Sequence, residues 1–125
     1  MEKSVWAQTV ACNAIVDLLD VGSDYSSGRV NVYGTDSTLA AYFQLSVPAF
    51  RDATDGTAFS NFVYDATVLK DSTASFFQAV SRDASTAWEG TVTSYSGLGD
   101  MKLNSVYLYK DSTISIDSFF YAVPK

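Results

Sequence analysis

Histidine is absent from this chain of 125 residues, and cysteine occurs once, at Cys12. Without histidine the sequence cannot supply the commonest general base, a Ser-His-Asp or Cys-His arrangement, or most zinc and copper sites. A single cysteine cannot form an intrachain disulfide, which excludes the class of small secreted domains stapled by disulfides. These absences leave few routes to a catalytic or metal-binding protein.

Charge is also scarce, because Asp, Glu, Lys and Arg together make up 18% of the residues. The formal net charge is −6, and the 8 basic residues are scattered along the chain rather than gathered in a stripe. Such a surface cannot neutralise a run of phosphates, so we predict that the chain does not bind nucleic acid. The apolar N-terminal stretch is interrupted by polar residues and no Ala-x-Ala site follows it. We therefore predict neither a signal peptide nor a membrane span.

Apolar and aromatic residues are abundant: 47% of the chain is hydrophobic, and it contains 8 Tyr, 8 Phe and 2 Trp. This content supports a genuine core, so we predict one folded domain over residues 1–125. Polar residues are mainly Ser and Thr, a composition that suits a β-protein or a protein partly covered by neighbours.

Residues 4–21 form the strongest helical pattern, with Ser4 as the expected N-cap and Gly22 as the expected stop. Cys12 lies on the apolar side of this helix, where we interpret it as a buried thiol rather than a nucleophile. The polar side gathers Thr9, Asn13, Asp17 and Asp20. The broad apolar face, whose packing we expect to hold this amphipathic helix, gathers Val5, Ala11, Cys12, Ile15, Val16, Leu18 and Leu19.

After a Gly- and Ser-containing loop at 22–28, the chain reads as strands separated by short polar turns. Residues 29–33 and 39–45 alternate apolar and polar side chains, and 57–64 is a further strand. Two hairpins follow, one over 76–92 and one over 103–123. With about seven or eight strands, we predict an antiparallel β-sandwich over 29–125, jelly-roll-like, with the N-terminal helix added to it.

The aromatic pairs in these strands place rings on both faces, because successive side chains point to opposite sides. Phe76 and Phe77 are one such pair, and Phe119, Phe120 and Tyr121 form a longer run. One face of each strand can join the core. The other face must be covered by the rest of the domain or by another protein, or it can form a platform for carbohydrate, as in lectin-like sandwiches.

The remaining candidates for chemistry are loop aspartates, such as Asp52, Asp55, Asp83 and Asp111. Asp is a turn former, because its side chain bonds the backbone two residues on. The Asp52–Gly56 segment lacks the third alternating ligand and the distal Glu of an EF-hand, although a calcium site built from several loops stays an alternative. We therefore predict no catalytic residue, no cofactor and no metal ligand. A hydrolase would need two carboxylates facing each other in a cleft.

Nine short segments occur in an order that has a counterpart elsewhere: Asn13–Gly22, Tyr33–Thr35, Leu39–Ala40, Leu45–Phe50, Gly56–Ala58, Phe76–Phe77, Trp88–Val92, Leu103–Ser105 and Val123–Pro124. In this order and spacing the chain resembles a family of small virion proteins of tailed phages. The resemblance covers nearly the whole chain. It implies assembly into a particle, most directly at the capsid surface, and it implies no catalytic residues.

We therefore predict a non-enzymatic auxiliary or decoration protein that binds the major capsid protein, or another virion protein, as a homo-oligomer. We predict that the contacts lie on the N-terminal segment and the loop that follows it, at Trp6, Val10 and Tyr25. Two alternatives remain open. One is a neck, tail or fibre component, and the other is a carbohydrate-binding module used in host attachment.

Overall fold

The computed structural model describes residues 3–94, 97 and 100–123; Pro124, the last residue of the resemblance, lies outside them. The protein is mainly β, with 45% strand against 14% helix. Helix α1 spans Val5–Asp17, and a 3₁₀ turn at Leu18–Asp20 continues it. The strands of the described residues are β1 Arg29–Gly34, β2 Leu39–Gln44, β3 Thr57–Phe59, β4 Ala66–Thr67, β5 Ser72–Val80, β6 Thr86–Ser94, β7 Met101–Leu103, β8 Tyr107–Leu108, β9 Thr113–Ile114 and β10 Ile116–Ala122.

The predicted helix at 4–21 is confirmed at both ends. The Ser4 side chain accepts a hydrogen bond from the Ala7 N–H at 3.1 Å, which satisfies one of the free donors of the first turn. Gly22 follows the 3₁₀ turn with a φ of +121°, and a Cβ there would lie 2.6 Å from the Asp83 carboxyl carbon. The chain therefore needs glycine at this stop, both for its backbone conformation and for the close approach of the next loop.

Most of the strands form one curled, mixed sheet, in the order β2-β1-β5-β6-β7-β10-β3, with β8 also paired to β5. Among the described strands, only β6 and β7 pair in parallel. The segment between β3 and β4 joins the two ends of the sheet: the Ser60 N–H donates to the Phe119 carbonyl, and the Tyr64 N–H donates to the Gln44 carbonyl. Strands β4 and β9 make a separate two-stranded ribbon. This arrangement confirms a mainly β protein with one N-terminal helix but does not confirm a sandwich or a jelly roll.

The first predicted hairpin is confirmed and the second is confirmed only at its base. Strands β5 and β6 pair across a turn in which Ala84 has a φ of +65°. In the second unit Ile116 pairs with Leu103, but β8 pairs with β5 and β9 pairs with β4. A tip paired only with itself would be a two-stranded ribbon with little stability of its own. The arms instead separate, and each buries an apolar side chain, Leu108 or Ile114, against another strand.

The core contains a cluster of aromatic rings contributed by β5, β6, β10 and the loop between β2 and β3. Phe119 packs edge-on against Phe50 and Phe77, with ring centroids 5.3 and 5.6 Å apart. The expected division of neighbouring rings between two faces is confirmed: Phe119 is buried while Phe120 is 40% exposed. On the outer side of the sheet, Phe76 stacks on Tyr33 with centroids 4.9 Å apart.

Candidate functional site

Helix α1 packs on the sheet through a narrow stripe rather than a broad apolar face. The buried residues of the helical segment are Gln8, Cys12, Val16 and Leu19, which follow one another at spacings of three or four. The predicted packed face is therefore correct for Cys12, Val16 and Leu19. It is wrong for Val5 and Leu18, which are 57% and 42% exposed.

The helix is turned about its axis so that its polar side faces the loop between β2 and β3, and this orientation leaves Val5 and Leu18 exposed. Three helix side chains accept hydrogen bonds from loop N–H groups that have no sheet partner. Burial raises the pKa of Asp20, one of the three. The contacts are Thr9 Oγ1 with the Gly56 N–H (3.1 Å), Asn13 Oδ1 with the Ala53 N–H (2.8 Å) and Asp20 Oδ1 with the Ala49 N–H (3.0 Å).

The Asn13→Ala substitution should measure what this attachment contributes. We expect the free energy of unfolding to fall by about 1–3 kcal/mol, because the part-buried Ala53 N–H loses its acceptor. Asp17→Ala is the matched control: Asp17 is exposed on the same helix, and its loss should change stability by no more than about 0.5 kcal/mol. Denaturant unfolding of both variants makes the comparison, and equal effects would contradict the attachment.

Because the polar side chains are turned inward, an apolar stripe faces outward. We call Trp6, Val10, Ala14 and Leu18 the outer helix face; all four are exposed, Trp6 by 78% and Val10 by 51%. Their spacing of four residues makes a ridge about 18 Å long, of the kind that packs between the ridges of another helix. Within Val5–Asp17 the only charged residue is Asp17.

A shallow hollow of about 190 Å³ lies at the carboxyl end of this ridge, between the helix and the β5–β6 turn. The turn is held in place by Asp83, whose Oδ1 accepts hydrogen bonds from the N–H groups of Ser23 and Asp24. These two bonds lower the pKa of Asp83. Leu18 belongs to both the ridge and the hollow, so the two surfaces are continuous. The hollow is lined by Leu18, Val21, Ser81, Asp83, Ser85, Thr86 and Ala87.

Of the three predicted contact residues, the structure brings two together and places the third elsewhere. Trp6 and Val10 are neighbours one turn apart on the outer helix face. Tyr25 is 40% exposed, and its ring lies under the Arg29 guanidinium at 4.0 Å, beside the outer side of β1 and β2. Sequence analysis missed Ala14 as a member of the ridge and assigned Leu18 to the packed side. The spacing of four residues from Trp6 is the pattern that identifies both.

Cys12 is buried, as interpreted from the sequence, and its Sγ donates to the Tyr121 carbonyl at 3.5 Å. Burial raises the pKa of this thiol, which keeps it protonated at neutral pH. Asp55 has a φ of +52° in the turn before β3, as expected of a turn former. Among the described residues, no three His, Cys, Asp or Glu side chains gather as metal ligands.

One cleft, of about 180 Å³, contains two carboxylates that sequence analysis did not pair, Glu89 and Asp100. Each is engaged by its neighbours. Asp100 Oδ2 accepts hydrogen bonds from the Thr91 N–H and hydroxyl, at 3.1 and 3.2 Å. Glu89 Oε2 accepts one from the Gln78 amide at 3.2 Å. These bonds account for both groups as structural partners of strands β5 and β6.

Comparisons of the chain with protein-family models, with curated proteins and with solved structures find no match. Within the described ranges, no helix combines the length and the apolar character needed to cross a bilayer. The outer helix face is an exposed apolar ridge on the α-helix of the described residues.

Proposed function

We propose that this chain is a non-enzymatic structural protein of a tailed-phage virion that binds the major capsid protein through its outer helix face. The observation that carries the proposal is the 78% exposure of Trp6 on a helix with apolar residues on both its inner and outer sides. Apolar side chains that recur along one exposed side of a helix mark a surface for a partner. In this proposal a protein partner covers that side, and Trp is a preferred anchor of such contacts.

The virion setting is supported by the order of short segments that resembles small phage virion proteins. A symmetric shell offers the same docking site many times, so a homo-oligomeric binder gains avidity from modest individual contacts. We also propose that the curled sheet is a jelly-roll-like β-sandwich. The proposed location is the capsid surface. The alternative location within the same particle is the neck, tail or fibre.

Mass spectrometry of particles purified from the phage that encodes this chain tests the proposal. Peptides are quantified before and after the tails are removed. We expect copies in a fixed ratio to the major capsid protein, all retained by the heads. A small number of copies that leaves with the tails would replace the capsid by the neck, tail or fibre. Absence of the chain from particles would overturn the virion role altogether.

A further inference from the structure

A second surface lies along the outer edge of β2, away from the helix. It is a cleft of about 290 Å³ with two tyrosines in its walls. Tyr64 is 53% exposed, and Tyr42 is half-buried. The cleft is lined by Tyr42, Gln44, Tyr64, Asp65, Ala66, Thr67 and Leu69.

The fold opens this cleft because the segment after Tyr64 leaves the edge of β2 and returns to it. The Tyr64 N–H donates to the Gln44 carbonyl at 3.1 Å, and the Leu69 N–H donates to the Ala40 carbonyl at 2.7 Å. Between these two contacts, β4 turns away to pair with β9. Tyr42 lies midway, and its backbone groups point to the same side as those of Gln44 and Ala40, which is the side of the cleft.

The hydrogen-bonding groups of the cleft are not used by the protein, although the Tyr42 ring lies under the Arg29 guanidinium and the Tyr64 ring packs edge-on against Phe62. Within the described part of the chain, the five polar side chains of the lining make no hydrogen bond or ion pair with another residue. This distinguishes the cleft from the one containing Glu89 and Asp100, whose carboxylates are engaged by Gln78 and Thr91. The side chains whose polar groups make no such bond are those of Tyr42, Gln44, Tyr64, Asp65 and Thr67.

From these features we propose that the cleft binds a neutral saccharide, with one sugar ring lying against Tyr64. The apolar C–H face of a pyranose matches an exposed aromatic face, while hydroxyls around its rim need donors and acceptors at several points. Asp65 supplies a charged acceptor for the hydroxyls, and Gln44 supplies both a donor and an acceptor. The volume of about 290 Å³ lies at the lower end for small-molecule sites, which suits one or two rings.

The neutrality of the ligand follows from charge. The one charged side chain in the lining is the carboxylate of Asp65, and the chain as a whole carries a formal charge of −6. The Arg29 guanidinium, 4.7 Å from the Tyr42 ring, is engaged by the rings of Tyr25 and Tyr42. A sialylated or uronic-acid glycan would therefore meet the Asp65 carboxylate as like charge. The saccharide site does not rest on the proposed virion role, because it shares no residue with the outer helix face, and it can be tested on the isolated chain.

The test combines a glycan array of neutral and acidic glycans with saturation-transfer NMR of the best neutral glycan. We expect the wild-type chain to bind neutral glycans, with transfer to the C–H face of one ring. Tyr64→Ala should weaken that binding by about tenfold or more, as expected from the loss of one aromatic contact. Asp65→Asn should also weaken it, because the charge-assisted acceptor is lost while its size is kept.

Tyr107→Ala is the matched control, because Tyr107 is 66% exposed and lies outside the cleft. It should bind as the wild type does, and circular dichroism should show all three variants folded. No binding to any glycan at millimolar concentration would overturn the proposal. Equal loss from Tyr64→Ala and Tyr107→Ala, or a preference for acidic glycans, would overturn it as well.

Discussion

Replacement of Phe119 by alanine is expected to lower the free energy of unfolding by about 3–5 kcal/mol, the usual cost of removing a buried aromatic ring. The ring is 3% exposed and lies at the centre of the aromatic cluster. It contacts Phe50 and Phe77 edge-on and stacks with Trp88 at a centroid distance of 6.1 Å. Because small domains are stable by only about 5–15 kcal/mol, this single change should bring the protein close to unfolding.

The matched control is the next residue. Phe120→Ala removes the same ring from the other face of β10, where the side chain is 40% exposed and contacts Phe59 at 5.7 Å. We expect it to cost about 1–2 kcal/mol, because 40% of the residue stays exposed and less apolar area is withdrawn from water than at Phe119. Urea unfolding monitored by Trp fluorescence compares the two. If Phe120→Ala were as destabilising as Phe119→Ala, the division of the two rings between core and surface would be incorrect.

This division is one of the features that sequence reasoning could reach. Alternation at period two is a local property of a strand, so the assignment of Phe119 and Phe120 to opposite faces needs no knowledge of the rest of the fold. The β5–β6 hairpin was accessible for the same reason, since its arms are joined by a short turn and pair with each other. The N-cap at Ser4 is likewise settled within one turn of helix.

The features that sequence reasoning missed depend on partners far away along the chain. Asn13 was predicted on the side opposite the packed face, but it accepts a hydrogen bond from Ala53, forty residues on. A helical wheel counts apolar residues and cannot register a loop N–H that needs an acceptor. Leu18 was placed on the packed face for that reason. The prediction for the tip of the second hairpin was wrong because it also depended on distant partners: β8 and β9 each pair with a strand far away along the chain.

The candidate site, too, could be predicted only where its residues are close in sequence. Trp6 and Val10 belong together because they are one helical turn apart, which a sequence shows directly. Tyr25 follows the helix in sequence, which groups it with them, yet its ring lies under the Arg29 guanidinium, which also lies over the Tyr42 ring. The cleft between Tyr42 and Tyr64 could not be foreseen either, since it exists only where the segment after β3 meets the edge of β2.

The proposed contact between the outer helix face and the capsid is tested most directly by Trp6→Ala. We expect this substitution to weaken binding of the purified chain to capsids that lack the chain by about 30-fold or more. This is the loss that follows from truncating an anchor worth at least about 2 kcal/mol. Folding should be unaffected, within about 0.5 kcal/mol, because the side chain is 78% exposed. Val10→Ala, on the next turn of the same ridge, should weaken binding in the same direction but less, since it removes a smaller apolar area.

The control for Trp6→Ala is Tyr109→Ala, which removes a 67% exposed aromatic side chain from the turn between β8 and β9. Binding per site is measured by sedimentation of the chain with capsids at increasing protein concentration, so that affinity and number of sites are separated. A lower affinity with an unchanged number of sites is expected for Trp6→Ala alone. An affinity equal to wild type would show that the ridge is not the contact. An equal loss with Tyr109→Ala would show that exposed aromatic area in general, rather than this ridge, drives the association.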